Sequence, residues 1–132
     1  MKREIAKNEY YEIYVDEEIN RVHWLLRGRW DKPSDLPDYV RHNREALGLL
    51  RPGFTAVVDL RDMGIPGVEM LALITEMSKE AEEAGQGRQA QIVNREFLEG
   101  TRASRDVIKE SGMDLKMMQF GNYEEAIEWL DG

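Results

Sequence analysis

The segment from Val57 to Met77, VVDLRDMGIPGVEMLALITEM, constrains the fold of this chain more than any other stretch. It opens with apolar and β-branched residues, is interrupted by a loop that holds two glycines and a proline, and continues with apolar residues at helical spacing. A continuous apolar run predicts a central strand that is covered on at least one face. A strand followed directly by a helix is typical of α/β proteins, in which the joint between them often holds a phosphate, a nucleophile or a regulatory side chain.

Strand-like and helix-like segments alternate along the rest of the chain. Residues 10–16 and 21–27 carry apolar side chains at every second position, which predicts the two strands of a hairpin. The later segments are, in order, a helix at 34–50, a strand at 54–60, a helix at 67–84, a strand at 88–94, a helix at 95–112, a strand at 115–120 and a helix at 122–130. The order ββαβαβαβα predicts a single α/β domain, a mixed five-stranded sheet flanked by four helices. We assign residues 10–132 to this domain and residues 1–9 to an N-terminal lead segment.

The composition excludes several classes of site and partner. A chain of 132 residues, 42% of them hydrophobic, can bury one core without metals or disulfides. The absence of cysteine removes disulfides, thiolate metal sites and thiol catalysis. With 18 basic and 26 acidic residues the net charge is -8, which repels nucleic acid. No apolar run approaches the roughly 20 residues of a membrane span, and no signal-peptide pattern opens the chain. We therefore expect a cytoplasmic protein with no nucleic-acid partner and no membrane span.

The helix predicted at 67–84 is apolar on two faces. At about 100° per residue, the face expected to meet the core carries Met70, Leu73, Ile74, Met77, Ala81 and Ala84. A second apolar stripe, limited to the first turns, carries Val68, Leu71, Ala72 and Thr75. An exposed stripe of this kind is a candidate contact surface, although burial beneath the first helix or a neighbouring loop would explain it equally well.

Several stretches together resemble a STAS domain, the fold of bacterial anti-sigma-factor antagonists and of sulfate transporter tails. They are VVDLRDMG, EMLALITEMSKEAEEAG, QAQIVN and IKESGMDLKMMQFGNYEEAIEWL, and with the element order they cover nearly the whole chain after its first ten residues. Within this group the sequence is most similar to the SpoIIAA-like branch, which is related in fold to the lipid-binding SEC14 (CRAL-TRIO) domains. The resemblance implies a mixed sheet flanked by helices, and protein-protein regulation rather than catalysis.

The joint after the central strand departs from the pattern of this family. STAS antagonists typically carry an Asp-Ser-Ser-Gly-Leu run at the start of the corresponding helix, and a kinase phosphorylates a serine in it. Counted without gaps from Asp59, the equivalent run here is GVEML, with no serine or threonine between Asp59 and Met70. The resemblance therefore implies that the phosphorylation switch is absent and that Glu69 stands where the phosphorylated serine would be. Alternatively, Glu69 only stabilises the helix start, by about 0.3 to 1 kcal/mol through the macrodipole.

The resemblance favours a non-catalytic regulatory module that binds a protein partner, with no cofactor and no metal. A homodimer is also allowed. Asp59, Arg61 and Asp62 cluster at a strand end, where α/β proteins usually place their sites, although turn and cap chemistry explains them as well. The residues predicted to bind the partner are Asp59, Arg61, Asp62, Val68, Glu69, Leu71, Ala72 and Thr75.

The alternative function is a carrier of a small apolar, lipid-like ligand, as the related SEC14 fold implies. A carrier needs a cavity of roughly 300 Å³ or more. For a chain of this length with short loops we expect a filled core instead.

The remaining polar candidates have ordinary explanations. His23 and His42 are expected to be structural, without a metal pair, a catalytic dyad or any activity that depends on them. Asn43 lies on the apolar side of the first helix, where it lines a cavity or bonds to nearby backbone. Arg102, Arg105 and Lys109 share one side of the third helix, which is more typical of a solvated face than of an anion site.

Overall fold

A computed structural model describes residues 2–94, 96 and 116–132. In this part of the chain one mixed sheet contains six strands in sequential order, from β1 to β6. The strands are β1 Lys2–Lys7, β2 Tyr11–Asp16, β3 Arg21–Gly28, β4 Thr55–Met63, β5 Gln89–Ile92 and β6 Met117–Phe120. The helices are α1 Tyr39–Gly48, α2 Val68–Glu83 and α3 Tyr123–Asp131, with a short 3₁₀ helix at Pro33–Asp35. Strands β1, β2 and β3 pair antiparallel, whereas β3, β4, β5 and β6 pair parallel.

The prediction of a mixed sheet with a hairpin and a central fourth segment is confirmed, but the prediction of five strands was wrong. Strands β2 and β3 form the hairpin, and β4 lies between β3 and β5. The additional strand is β1, in the residues that the sequence assigned to a lead segment. Its pairing with β2 is irregular between Glu4 and Ala6, so its two apolar residues do not follow the alternation that identifies a strand.

Three of the four predicted helices lie in the described part of the chain, and the helix predicted at 95–112 lies outside the described residues except for Glu96, which is helical. The first helix begins later than the sequence predicts, at Tyr39 rather than after Ser34. Pro37 explains the delay, because a proline disfavours the helical conformation of the residue before it. The cap predicted for the last helix is confirmed, since Asn122 Oδ1 accepts a hydrogen bond from the Glu125 amide at 2.8 Å.

Helices cover both faces of the sheet. On one face α1 and α2 pack over the side chains of β1 to β4, and the predicted core face of α2 is confirmed, since Met70, Met77 and Ala81 are buried. On the other face α3 packs over β4, β5 and β6 through the cluster Val57, Ala90, Ile92, Phe120, Ala126 and Leu130. Of the described helices, none is long and apolar enough to cross a bilayer.

The joint between β4 and α2 is anchored to the residues that follow β3. The Gly64 amide donates to the Gly28 carbonyl at 3.0 Å, and the Gly67 amide donates to the Trp30 carbonyl at 2.8 Å. The Trp30 side chain is fully buried, and its indole N–H donates to the Arg27 carbonyl at 2.9 Å. These backbone contacts set where α2 begins, at the carboxyl end of β4.

Candidate functional site

The residues that the sequence singled out lie on two elements, the carboxyl end of β4 and the first turns of α2. Asp59 shares the face of β4 with Val57, which packs against α3, so it points away from α2. Asp59, Arg61 and Asp62 belong to β4, which extends to Met63, beyond the predicted strand end at residue 60. The other five, Val68, Glu69, Leu71, Ala72 and Thr75, are all exposed on the first two turns of α2. Of the two alternatives that the sequence left open for the second stripe, the structure shows exposure rather than burial, while the binding role of these residues stays a prediction.

Asp59 and Arg61 form a local ion pair. Arg61 Nη2 lies 2.8 Å from Asp59 Oδ2, and Arg61 Nε lies 3.0 Å from Asp59 Oδ1, so both carboxylate oxygens are engaged. Burial opposes ionisation of Asp59, but the hydrogen bonds from the Arg61 side chain and amide together leave its pKa below the usual value. A carboxylate held in this way is a weak base, and the pair is better suited to fixing the strand end than to proton transfer.

Three large apolar side chains on the joint and α2 are exposed, and we call Ile65, Val68 and Leu71 the apolar patch. Their exposed fractions are 93%, 84% and 48%. Glu69 is also exposed and lies in the first turn of α2, where the helix dipole favours a negative charge. Sequence analysis missed Ile65, because periodicity assigns faces only within helices and strands. Its position between glycine and proline was the available signal.

A groove of about 470 Å³ lies between α2 and the sheet, beside the apolar patch. The expectation of a filled core was therefore wrong on this face. The buried cluster beneath α1 and α2 draws its strand residues from β1 to β4. On this side β5 carries Gln89 and Gln91, and β6 carries the half-exposed Met117 and Gln119. The described residues that line the groove are Trp24, Leu26, Tyr39, Asn43, Val58, Leu60, Met63, Gly64, Ile65, Pro66, Leu71, Ile74, Met77, Ser78, Ala81, Gln86, Gln89, Gln91, Val93, Asn94 and Gln119.

One wall of the groove is a row of hydrogen-bonded amides, which we call the glutamine row. Gln119 Nε2 donates to Gln91 Oε1 at 3.2 Å, and Gln91 Nε2 donates to Gln89 Oε1 at 3.0 Å. Gln89 Nε2 in turn lies 3.4 Å from Gln86 Oε1. The row crosses β5, an interior strand of the sheet, whose faces are normally apolar in α/β proteins.

Asn43 fits both of the interpretations that the sequence left open. It is buried, its Nδ2 donates to the Tyr39 carbonyl at 2.7 Å, and its side chain lines the groove. The arginine and lysine set on the predicted third helix, Arg102, Arg105 and Lys109, lies outside the described residues.

The two histidines lie on opposite faces of the sheet and form no dyad. His23 Nδ1 is 2.7 Å from the Tyr123 hydroxyl on the α3 side, and His42 Nδ1 is 2.7 Å from the Tyr11 hydroxyl on the α1 side. Burial lowers the pKa of His23 to about 4, with Lys2 and Arg21 acting in the same direction. In the described ranges, no group of three or more His, Asp or Glu side chains has an arrangement that could hold a metal ion.

Comparison with known proteins identifies the fold. No protein-family model matches the chain, and no curated protein matches it. Among solved structures, an uncharacterized protein of the DUF3478 family with a SpoIIAA-like fold, from Shewanella loihica PV-4, has a TM-score of 0.62 and 13% identity, covering 95% of this chain and 98% of that chain. The phosphorylated form of the Bacillus cell fate determinant SpoIIAA has a TM-score of 0.53 and 19% identity, covering 91% of this chain and 98% of its own. The chain has a SpoIIAA-like fold, as the sequence resemblance implied.

Proposed function

We propose that this chain, given its SpoIIAA-like fold, is a non-catalytic regulatory module of the cytoplasm that binds a protein partner through the apolar patch and Glu69. The observation that carries the proposal is the exposure of Ile65 and Val68, at 93% and 84%, on a joint that backbone hydrogen bonds hold in place. Adjacent exposed apolar side chains rimmed by polar residues are typical of protein-binding surfaces. The polar rim here is formed by Glu69 and Thr75.

Glu69 gives this surface a fixed charge in place of a switchable one. A carboxylate carries about one negative charge and a phosphoserine nearly two, with three strong acceptor oxygens. The glutamate therefore imitates a phosphorylated serine only in part, and no kinase is needed to produce it. On this proposal the module stays in one binding state, and its partner is chosen by apolar contact and by one negative charge at the rim.

Variants of single exposed residues test this surface. We choose Val68→Asp because Val68 belongs to the patch without lining the groove, whereas Leu71 does both. The matched control is Ile19→Asp, which places the same charge on an exposed isoleucine (53% exposed) in the turn between β2 and β3. Glu69→Gln removes the fixed charge and preserves the shape of the side chain.

The experiment is a pull-down from a lysate of the native host, followed by calorimetry with each captured protein in pure form. We expect Val68→Asp to weaken binding of a purified partner at least tenfold, Ile19→Asp to bind like the wild type, and Glu69→Gln to change which partners are retained. If the partner is a second copy of the chain, light scattering will show a dimer that Val68→Asp dissociates. Equal binding by the wild type and all three variants would reject this surface.

If Glu69 only stabilises the helix start, Glu69→Gln will leave partner binding unchanged. It will then lower the free energy of unfolding by no more than about 1 kcal/mol. Val68→Asp separates this outcome from loss of the whole surface, because it changes the apolar contact without removing the charge of Glu69.

The groove favours a second candidate function, a carrier of a small apolar ligand. Its volume of about 470 Å³ lies within the roughly 300 to 1,000 Å³ of small-molecule sites. The test is titration with the neutral fluorophore Nile red. We expect saturable binding at one site, lost when Ser78→Trp fills the groove and retained in Lys79→Trp, since Ser78 lines the groove and its exposed neighbour does not. The absence of saturable binding by the wild type would exclude this function.

A further inference from the structure

We infer that the ligand of the groove is an uncharged amphiphile, with an apolar body against α2 and β4 and a hydrogen-bonding group, such as an amide or hydroxyl, against the glutamine row. This inference rests on the second candidate function and specifies the chemistry of its ligand. Three observations carry it: the charge of the lining, the position of the amides, and an unpartnered indole N–H in the same wall.

The lining is free of charge throughout its described part. None of the described residues that contact the groove is Asp, Glu, Lys or Arg, although one third of the chain, 33%, is charged. An ion that enters such a site loses hydration without gaining a partner of opposite charge, which makes its burial costly. The apolar part of the lining, including Trp24, Leu60 and Ile74, instead suits a hydrocarbon body.

The glutamine row places hydrogen-bonding groups at one side of this apolar space. A primary amide offers two N–H donors and two carbonyl lone pairs. Gln91 uses one N–H donor toward Gln89 and one carbonyl lone pair toward Gln119. Its amide therefore keeps a second N–H donor and a second lone pair for a ligand. Both Gln89 and Gln91 are partly buried, where polar groups need partners. A neutral group that both donates and accepts, such as an amide, matches the row in either orientation.

Trp24 adds a donor to the same sheet wall, on β3, with Val58 of β4 between it and Gln91. Its side chain is 8% exposed, and its indole N–H is shielded from solvent with no hydrogen-bond partner among the described residues. Indole is a donor only. An unpaired buried donor destabilises the protein, so a ligand oxygen that reaches this N–H from the groove gains a hydrogen bond that the protein alone lacks.

The experiment is displacement of Nile red by three ligands that share one alkyl chain and differ in head group: decanamide, decanoate and decylammonium. At neutral pH these are uncharged, anionic and cationic. We expect decanamide to displace the dye at a concentration at least tenfold lower than either ion, because the ions lose hydration in a lining without counter-charges. Gln91→Leu is expected to lower the affinity for decanamide at least threefold, while its affinity for Nile red stays within twofold of the wild-type value.

The outcomes distinguish the inference from the function on which it rests. Displacement by decanoate or decylammonium at equal or lower concentration than decanamide would overturn the inference that the ligand is uncharged. The groove would still be a binding site. An unchanged affinity of Gln91→Leu for decanamide would overturn the role of the glutamine row. Saturable dye binding that Ser78→Trp does not abolish would place the dye outside the groove and overturn both the inference and the carrier function.

Discussion

His23 is a buried titratable side chain whose environment favours the neutral form. It lies on β3 beneath the start of α3, where its ring stacks on Tyr123 with centroids 6.1 Å apart. Its Nε2 atom is buried and has no hydrogen-bond partner within the described part of the chain. Protonation would place a second N–H donor and a positive charge in this environment, near Lys2 and Arg21. The neutral state of this residue is therefore linked to the folded state.

The stability of the protein is expected to depend on pH through His23. Because the folded pKa is about 4 and the usual value is 6.5, the unfolded chain takes up the proton first as pH falls. The stability that neutral His23 contributes is fully present above about pH 6.5 and is lost as pH falls toward 4. At pH 5 the free energy of unfolding is lower by on the order of 2 kcal/mol. Urea unfolding at pH 8 and at pH 5 measures this loss of stability. Between these two pH values the free energy of unfolding should fall less for His23→Phe than for the wild type. An equal loss in both proteins would contradict the assignment.

At the scale of the element, α2 begins where tertiary contacts place it. Its first turn has no side-chain cap, since the preceding residue is Gly67. A Cβ atom at Gly67 would lie 2.5 Å from the Asp31 carbonyl oxygen. The glycine therefore permits the close approach in which its N–H donates a hydrogen bond to the Trp30 carbonyl. The exposure of the apolar patch depends on this approach, because it fixes the joint on which the patch lies.

Gly67→Ala is expected to lower the free energy of unfolding by roughly 1 to 3 kcal/mol, because the backbone of Asp31 must move. The matched control is Gly48→Ala in α1, where nothing lies within 4 Å of the added Cβ. That change is expected to stabilise the protein by up to about 1 kcal/mol, as alanine is the better helix former. Chemical denaturation of both variants checks the pair, and a Gly67→Ala protein as stable as the wild type would refute the close approach.

At the scale of the molecule, the sheet extends one strand further than its hairpin. β1 shields the outer edge of β2, buries Ala6 and packs Ile5 against the main core. It also contacts elements distant in sequence, through a 3.4 Å hydrogen bond from Lys2 Nζ to the Tyr123 hydroxyl. We therefore propose that residues 2–7 belong to the domain.

Deletion of residues 1–7 tests the membership of β1. We expect a loss of on the order of 2 kcal/mol or more in unfolding free energy, from the burial of Ile5 and Ala6. We also expect self-association, because β2 becomes an unprotected edge. The control Arg3→Ala breaks only the exposed ion pair with Glu17, which is worth about 1 kcal/mol or less. A truncated protein that is monomeric and as stable as the full chain would show that β1 is a lead segment outside the domain.

The sequence predicted those features that depend on periodicity within one segment. The hairpin, the central position of Val57 and the two faces of α2 follow from such patterns. The features that it missed depend on contacts between segments. The irregularity in β1 hides its alternation, and Pro37 moves a helix start. The groove has a polar wall because Gln89, Gln91 and Gln119 from two strands meet on one face, and single-segment periodicity does not show that meeting.

Leu71 and Ile65 belong to both the apolar patch and the lining of the groove. A molecule inside the groove and a protein on the patch would therefore contact the same two side chains. Any shift that one occupant imposes on these side chains changes the binding free energy of the other, and by thermodynamic linkage the effect is equal in both directions. The apparent affinity for one occupant would then depend on the concentration of the other. The joint would couple the two ligands allosterically, without phosphorylation.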